Sequence, residues 1–119
     1  MKIGLLVGLV ALYGLSSNMF AQDNQKIHGY LVDAVCAGNH AKEPGYAANH
    51  DKKCNLMDVC VKSGFSVITP DQHVLKFDAK GNEQALGLVK ATDKEKDWKV
   101  VVTGKVDGQT IAVTSIALE

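Results

Sequence analysis

The chain has no arginine. Its 13 basic residues are all lysines, matched by 13 Asp and Glu for a formal charge of zero. Nucleic-acid binders use surplus Lys and Arg to neutralise phosphates and Arg forks to read guanine, so nucleic acid is excluded as a partner. Proline is scarce, with two residues, and the 46% hydrophobic and 22% charged content is ordinary, which excludes a collagen-like or disordered chain. No apolar run reaches the ~20 residues that span a bilayer. A Gly-x-Ser-x-Gly elbow, a phosphate loop, a His-Glu-x-x-His helix and a Cys-x-x-Cys pair are all missing, so the enzyme signatures that are legible from sequence are not met. At 119 residues there is room for one domain.

What is present begins with an address. Lys2 precedes an apolar run from Ile3 to Leu15, then Ser16-Ser17-Asn18-Met19-Phe20-Ala21. A basic start, about a dozen apolar residues and a small residue before a polar stretch form the pattern of a secretory signal. Residues 1–21 are therefore expected to be a cleaved signal peptide, 22–26 a flexible leader and 27–119 a single domain. No cysteine follows the run to carry a lipid. The expected compartment is periplasmic or secreted, with no membrane attachment after cleavage.

Ile27-His28-Gly29-Tyr30-Leu31-Val32-Asp33 predicts a first strand, bent or bulged at its internal glycine. Residues 34–49 hold Gly38, Pro44 and Gly45 without apolar periodicity, and predict a loop. His50 to Ser63 lacks Gly and Pro and is followed by Gly64, which predicts one helix with a glycine stop. Residues 64–69 and 73–78 predict strands two and three, with residues 79–82 closing that unit, and 83–91 a helix. Residues 98–106 and 110–118 predict strands four and five around an Asp107-Gly108 turn with positive φ at both central positions. In the last strand the apolar phase switches from Ile111 and Val113 to Ile116 and Leu118, which signals a bulge. Three strands, a helix and two strands is the element order of the oligonucleotide/oligosaccharide-binding (OB) barrel. The expected fold is mainly β: a five-stranded OB-like barrel with a helix between strands 3 and 4. A Cys/His-bearing loop-helix insertion is expected between strands 1 and 2. Phe65, Phe77, Trp98 and Tyr30 are expected in the core rather than on a stacking platform, and Met57 is expected in the core rather than on a metal.

Leu31-Val32-Asp33-Ala34-Val35-Cys36, His40, His50-x3-Cys54-x2-Met57-x2-Cys60-x2-Ser63-Gly64-Phe65, Leu75-Lys76-Phe77-Asp78 and residues 102–111 together resemble small exported bacterial proteins with an OB-like domain. Many of those carry a glycine after the first cysteine, where this chain has Ala37. The resemblance implies fold and compartment.

Three cysteines, Cys36, Cys54 and Cys60, leave one over after any single bridge. The remainder must be a core thiol, a metal ligand, a redox group or a link between two chains. Cys36-x3-His40 and His50-x3-Cys54 form two short pairs, and in a helix the i,i+4 spacing places both side chains on one face. Thiolate plus imidazole suits zinc or copper, so Cys36, His40, His50 and Cys54 are the expected metal ligands, with Asp33 behind them orienting a histidine or capping a turn. On a continuous helix Cys54 and Cys60 lie about 9 Å apart along the axis, too far for a bridge, which needs Cα atoms within roughly 7 Å. A disulfide would therefore join Cys36 to Cys54 or to Cys60 unless the helix breaks. His28 and His73 are expected at the surface. The resulting expectation is a non-enzymatic module, monomeric or a disulfide-linked dimer, that binds a transition metal. The alternatives are a disulfide-stapled scaffold presenting its surface to an unknown extracytoplasmic partner or small ligand, and a thiol redox protein with one exposed, low-pKa cysteine.

Overall fold

The computed structural model describes residues 24–119; the expected signal peptide, residues 1–21, lies outside the described residues. Five strands form a sheet whose order is β1 (Gln25–Asp33), β2 (Phe65–Ile68), β3 (Val74–Phe77), β5 (Thr110–Leu118) and β4 (Lys99–Asp107), and β4 pairs back to β1 to close a ring. All pairings are antiparallel except β3 with β5. β1 begins at Gln25, inside the stretch expected as a leader.

The ring closes because β1 serves two neighbours. Its first part, Gln25 to Tyr30, pairs with β4, and its last part, Tyr30 to Asp33, pairs with β2. The change of partner falls at Tyr30, next to Gly29, the glycine where sequence predicts a bend or bulge. A Cβ on Gly29 would overlap the Ile68 carbonyl oxygen and stand 2.7 Å from Val67 Cγ2, so the neighbouring backbone passes where any side chain would be.

The phase switch in the last strand is a bulge. Thr103 pairs with Ser115 but Gly104 pairs with Val113, leaving Thr114 as the extra residue. One inserted residue reverses the facing of everything after it, which keeps Ile111 and Val113 buried and turns Ile116 and Leu118 towards the same core. The hairpin turn sits one residue later than expected. Asp107 pairs with Thr110 around Gly108-Gln109, and only Gly108 takes positive φ, at 63°.

The main core fills the ring with Leu31, Phe65, Val67, Trp98, Val100, Val102 and Ile111. A helix, α5 (Ala79–Ala91), packs Ala85 and Val89 against it. This helix starts four residues before its expected position because Asp78 caps it, accepting from Gly81 N at 3.0 Å. Residues 79–82 are thus its first turn rather than a closing loop. Phe65, Phe77 and Trp98 are buried as expected, and Tyr30 is half-buried.

The insertion between β1 and β2 covers the outer face of those strands. Val32 and Ile68 point away from the ring and pack on Ala37, with Tyr46, Ala41 and Ala47 around them. This second core explains why Leu31, Val32 and Asp33, and every residue of β2, are buried on both faces. The expected loop at 34–49 holds two helices, α1 (Ala34–His40) and α2 (Tyr46–Asn49). Apolar periodicity is weak there because seven- and four-residue helices are too short to display it. The single helix expected at 50–63 is broken into α3 (Lys52–Asn55) and α4 (Asp58–Ser63). Met57 takes an extended conformation (φ −66°, ψ 141°) between them, and its side chain is half exposed rather than in the core. Gly64 ends α4 at φ 87°, as its sequence position predicts. No helix of the described residues is long and apolar enough to cross a membrane.

Candidate metal centre

Asp33 organises the insertion. It is the last residue of β1 and the N-cap of α1, and it is fully buried. Its Oδ2 accepts from Cys36 N at 2.9 Å, and its Oδ1 accepts from His50 Nε2 at 2.8 Å. His50 Nε2 also lies 3.1 Å from Asn55 Oδ1, which in turn accepts from Asp33 N at 3.0 Å. Asp33, His50 and Asn55 therefore form a closed buried triangle. An ionised carboxylate only accepts, so His50 carries its proton on Nε2. Among the described residues Asn55 Nδ2 is the buried side-chain polar atom without a partner.

An aspartate N-cap places the third residue after it beside its own carboxylate, and besides Asp78 in α5 the chain uses this twice to hold a cysteine. Asp33 holds Cys36, and Asp51 holds Cys54 by accepting from Cys54 N at 2.8 Å. The break at Met57 then turns α4 back, so that buried Cys60 returns to Asp33. One donor atom each from Asp33, Cys36 and Cys60 lie within 4.8 Å of one another. Ligands on one zinc stand ~3.5–4 Å apart, given bonds of ~2.0–2.3 Å, so at most about 1 Å of contraction would seat an ion. Two sulfurs and a carboxylate oxygen form a donor set suited to a borderline or soft cation.

Of the four residues expected from the Cys/His spacing, Cys36 belongs to this group. His50 sits beside it, bonded to Asp33 and outside any helix, since α3 starts at Lys52. His40 faces away, 2.5 Å from Glu43 Oε2 and stacked on Tyr46 at 4.5 Å between ring centroids. Cys54 stays with Asp51. All three cysteines are free thiols. His28 and His73 are exposed and face Glu119 and Asp71.

The electrostatics favour protonated thiols. Burial and then the Asp33 carboxylate push the Cys60 thiol up to about 12. Burial also raises Cys36, followed by the Asp33 charge, with a hydrogen bond to the Tyr46 hydroxyl opposing. Cys54 is raised first by its hydrogen bond to Asp51. Burial alone would raise Asp33, but hydrogen bonds from His50 and from Cys36 N hold it below the usual carboxylate value. No thiol of this group is activated as a nucleophile, which removes the low-pKa feature that a fast redox catalyst needs.

Because Cys60 is raised in the folded state, its contribution to stability is complete below the ordinary thiol value of 9.0 and is lost as pH climbs towards about 12. Urea denaturation of the reduced, metal-free chain is expected to show a falling stability over that window. In Cys60→Ala the fall should be shallower; an unchanged slope would mean that Cys60 is not the group responsible.

Cys60 and Asp33 as donors, together with Asn55 and Tyr46, were not singled out by the Cys/His spacing. For Asp33 the available signal is Asp-x-x-Cys, which occurs at Asp33-x2-Cys36 and again at Asp51-x2-Cys54; Cys60, Asn55 and Tyr46 carry no local signal. Comparison of the chain with protein-family models, with curated proteins and with solved structures returned no match in any of the three.

Proposed function

We propose that this chain is an exported, non-enzymatic OB-like module that binds one transition-metal ion, zinc or copper, through Cys36 Sγ, Cys60 Sγ and an Asp33 oxygen. The observation that carries the reading is the convergence of those three donors from the end of one strand and from two separate helices. His50 supports it from behind, since a ligating carboxylate held by a histidine N–H keeps its orientation and charge. Three protein donors leave the fourth tetrahedral position for a water or a small extracytoplasmic ligand. The strand order β1-β2-β3-β5-β4, with α5 between β3 and β4, supports the OB-like assignment. The signal-like residues 1–21 support export.

Titration of the reduced chain with Zn²⁺ or Cu⁺ against a chromophoric chelator tests this. One equivalent should bind, and Cys36→Ser and Cys60→Ser should each weaken binding on the order of 100-fold. Cys54→Ser and His40→Ala should leave it unchanged. Loss of binding in those two variants would instead favour the Cys36, His40, His50 and Cys54 set, and no binding by the unaltered reduced chain would overturn the reading. Both raised thiols must shed protons to ligate, so affinity should fall with acidity, by up to about 100-fold per pH unit when two protons leave.

A further inference from the structure

Two of the three cysteines are already placed for a second chemistry. Cys36 and Cys60 have their sulfurs within 4.8 Å, yet both are thiols. Their helices are tied together independently of the sulfurs: Ala34 N donates to Gly64 O at 2.8 Å, and Val35 N donates to Ser63 Oγ at 3.3 Å. Cys36 is half-buried, whereas Cys60 is 4% exposed, so Cys36 is the more accessible of the two. Cys54 is outside the cluster and anchored to Asp51.

We infer that Cys36 and Cys60 form a reversible dithiol–disulfide couple, with Cys36 meeting an external low-molecular-weight disulfide and Cys60 resolving the product. The Cys36 sulfur attacks one sulfur of the reagent, forming a mixed disulfide and expelling the first reagent thiol. The Cys60 sulfur then attacks Cys36, forming the internal bond and expelling the second. Two electrons pass from the protein to the reagent, and the two thiol protons end on the two thiols released. Of the two pairings left open by the sequence, the structure assigns Cys36 to Cys60. Oxidation consumes both sulfurs of the metal group, so the oxidised chain should not hold the ion. That last consequence rests on the metal reading above, whereas the couple itself does not.

The test is incubation of the full reduced chain with oxidised glutathione, followed by native alkylation and peptide mapping. The expected product is lighter by about 2 Da, keeps one alkylatable thiol at Cys54, yields a Cys36–Cys60 cross-linked peptide, and returns to three thiols with reductant. Cys54→Ser should form the same cross-link, keep no alkylatable thiol and return to two thiols with reductant, while Cys60→Ser or Cys60→Ala should stop with one glutathione on Cys36. A Cys36–Cys54 peptide, or three thiols still free after incubation, overturns the couple. Metal titration of both forms separates the two proposals. Binding at least about 100-fold weaker after oxidation supports the gate, and equal binding by both forms overturns it. Absence of binding by the reduced form, with the cross-link still found, overturns the metal reading alone.

Discussion

Replacing Asp33 with Ala is expected to destabilise the domain by about 2–4 kcal/mol, the sum of a lost helix cap and a buried donor that loses its carboxylate acceptor. The size follows from what the side chain does. It caps α1 through Cys36 N, accepts the His50 Nε2–H, and lies fully buried beside the Cys60 thiol. The cap alone accounts for roughly 1 kcal/mol, and the remainder comes from leaving buried His50 with only the more distant Asn55 Oδ1 as acceptor. Since small domains are stable by only about 5–15 kcal/mol, this one change removes a large share. Asp33→Asn keeps an acceptor for Cys36 N and should cost less, while still weakening metal binding. The pH dependence has a definite sign: a carboxyl held below its ordinary 3.8 stabilises above that value, and the contribution is lost as pH falls through the folded value. Urea denaturation across pH 2–7 (roughly the span of a carboxyl titration) measures it. A loss under about 1 kcal/mol for Asp33→Ala would mean that His50 and Cys36 N find other partners.

Gly29→Val should be as damaging, by about 3 kcal/mol or more, and here local propensity points the other way. Valine favours strands and glycine weakens them, so a sequence-only argument predicts a gain. The structure predicts a loss, because the new Cβ would meet the Ile68 carbonyl and the Val67 side chain, and β1 could then not pass from β4 to β2 without displacing backbone. Thermal denaturation and the near-ultraviolet signal of buried Trp98 would report it. Gly38→Ala is the control. Nothing lies within 4 Å of its added Cβ inside α1, so the same class of change should stabilise by roughly 0.5–1 kcal/mol. If Gly29→Val instead proved neutral, the ring would not depend on a close approach at that point.

Much of the sheet was legible because its signals are local. The apolar phase switch at residues 113–116 needs no tertiary information, since an inserted residue reverses side-chain facing wherever it occurs. Gly29 likewise marked the place next to which β1 changes partner, and Gly64 a helix end. The insertion was less legible. Its helices are short, and their apolar residues, such as Ala37, Ala41 and Tyr46, face a second core that exists only once β1 and β2 have paired. The break at Met57 has no glycine or proline to mark it, so a periodicity argument continues the helix and moves Cys60 away from Cys36. The site suffered for the same reason. His50 and Cys54 looked like neighbours on one helix face, but His50 precedes α3 and turns to Asp33, while the sulfur that reaches Asp33 lies beyond the break.

The double duty of β1 also sets an order in time. Its register with β4 joins Gln25 to Gly104, and its register with β2 joins Asp33 to Phe65. The β4–β5 hairpin is local and can form within microseconds, roughly 1–10 μs for an isolated hairpin. Closing the ring instead requires residues on the order of eighty apart to meet, and loop closure over such separations slows folding to roughly milliseconds or longer. The insertion helices lie instead on the outer face that forms when β1 pairs with β2, a shorter closure than that of the ring. In a refolding experiment the Trp98 environment should therefore mature together with protection of the β1 amides paired to β4, whereas accessibility of the Cys36 and Cys60 thiols to a labelling reagent should fall with the pairing of β1 to β2.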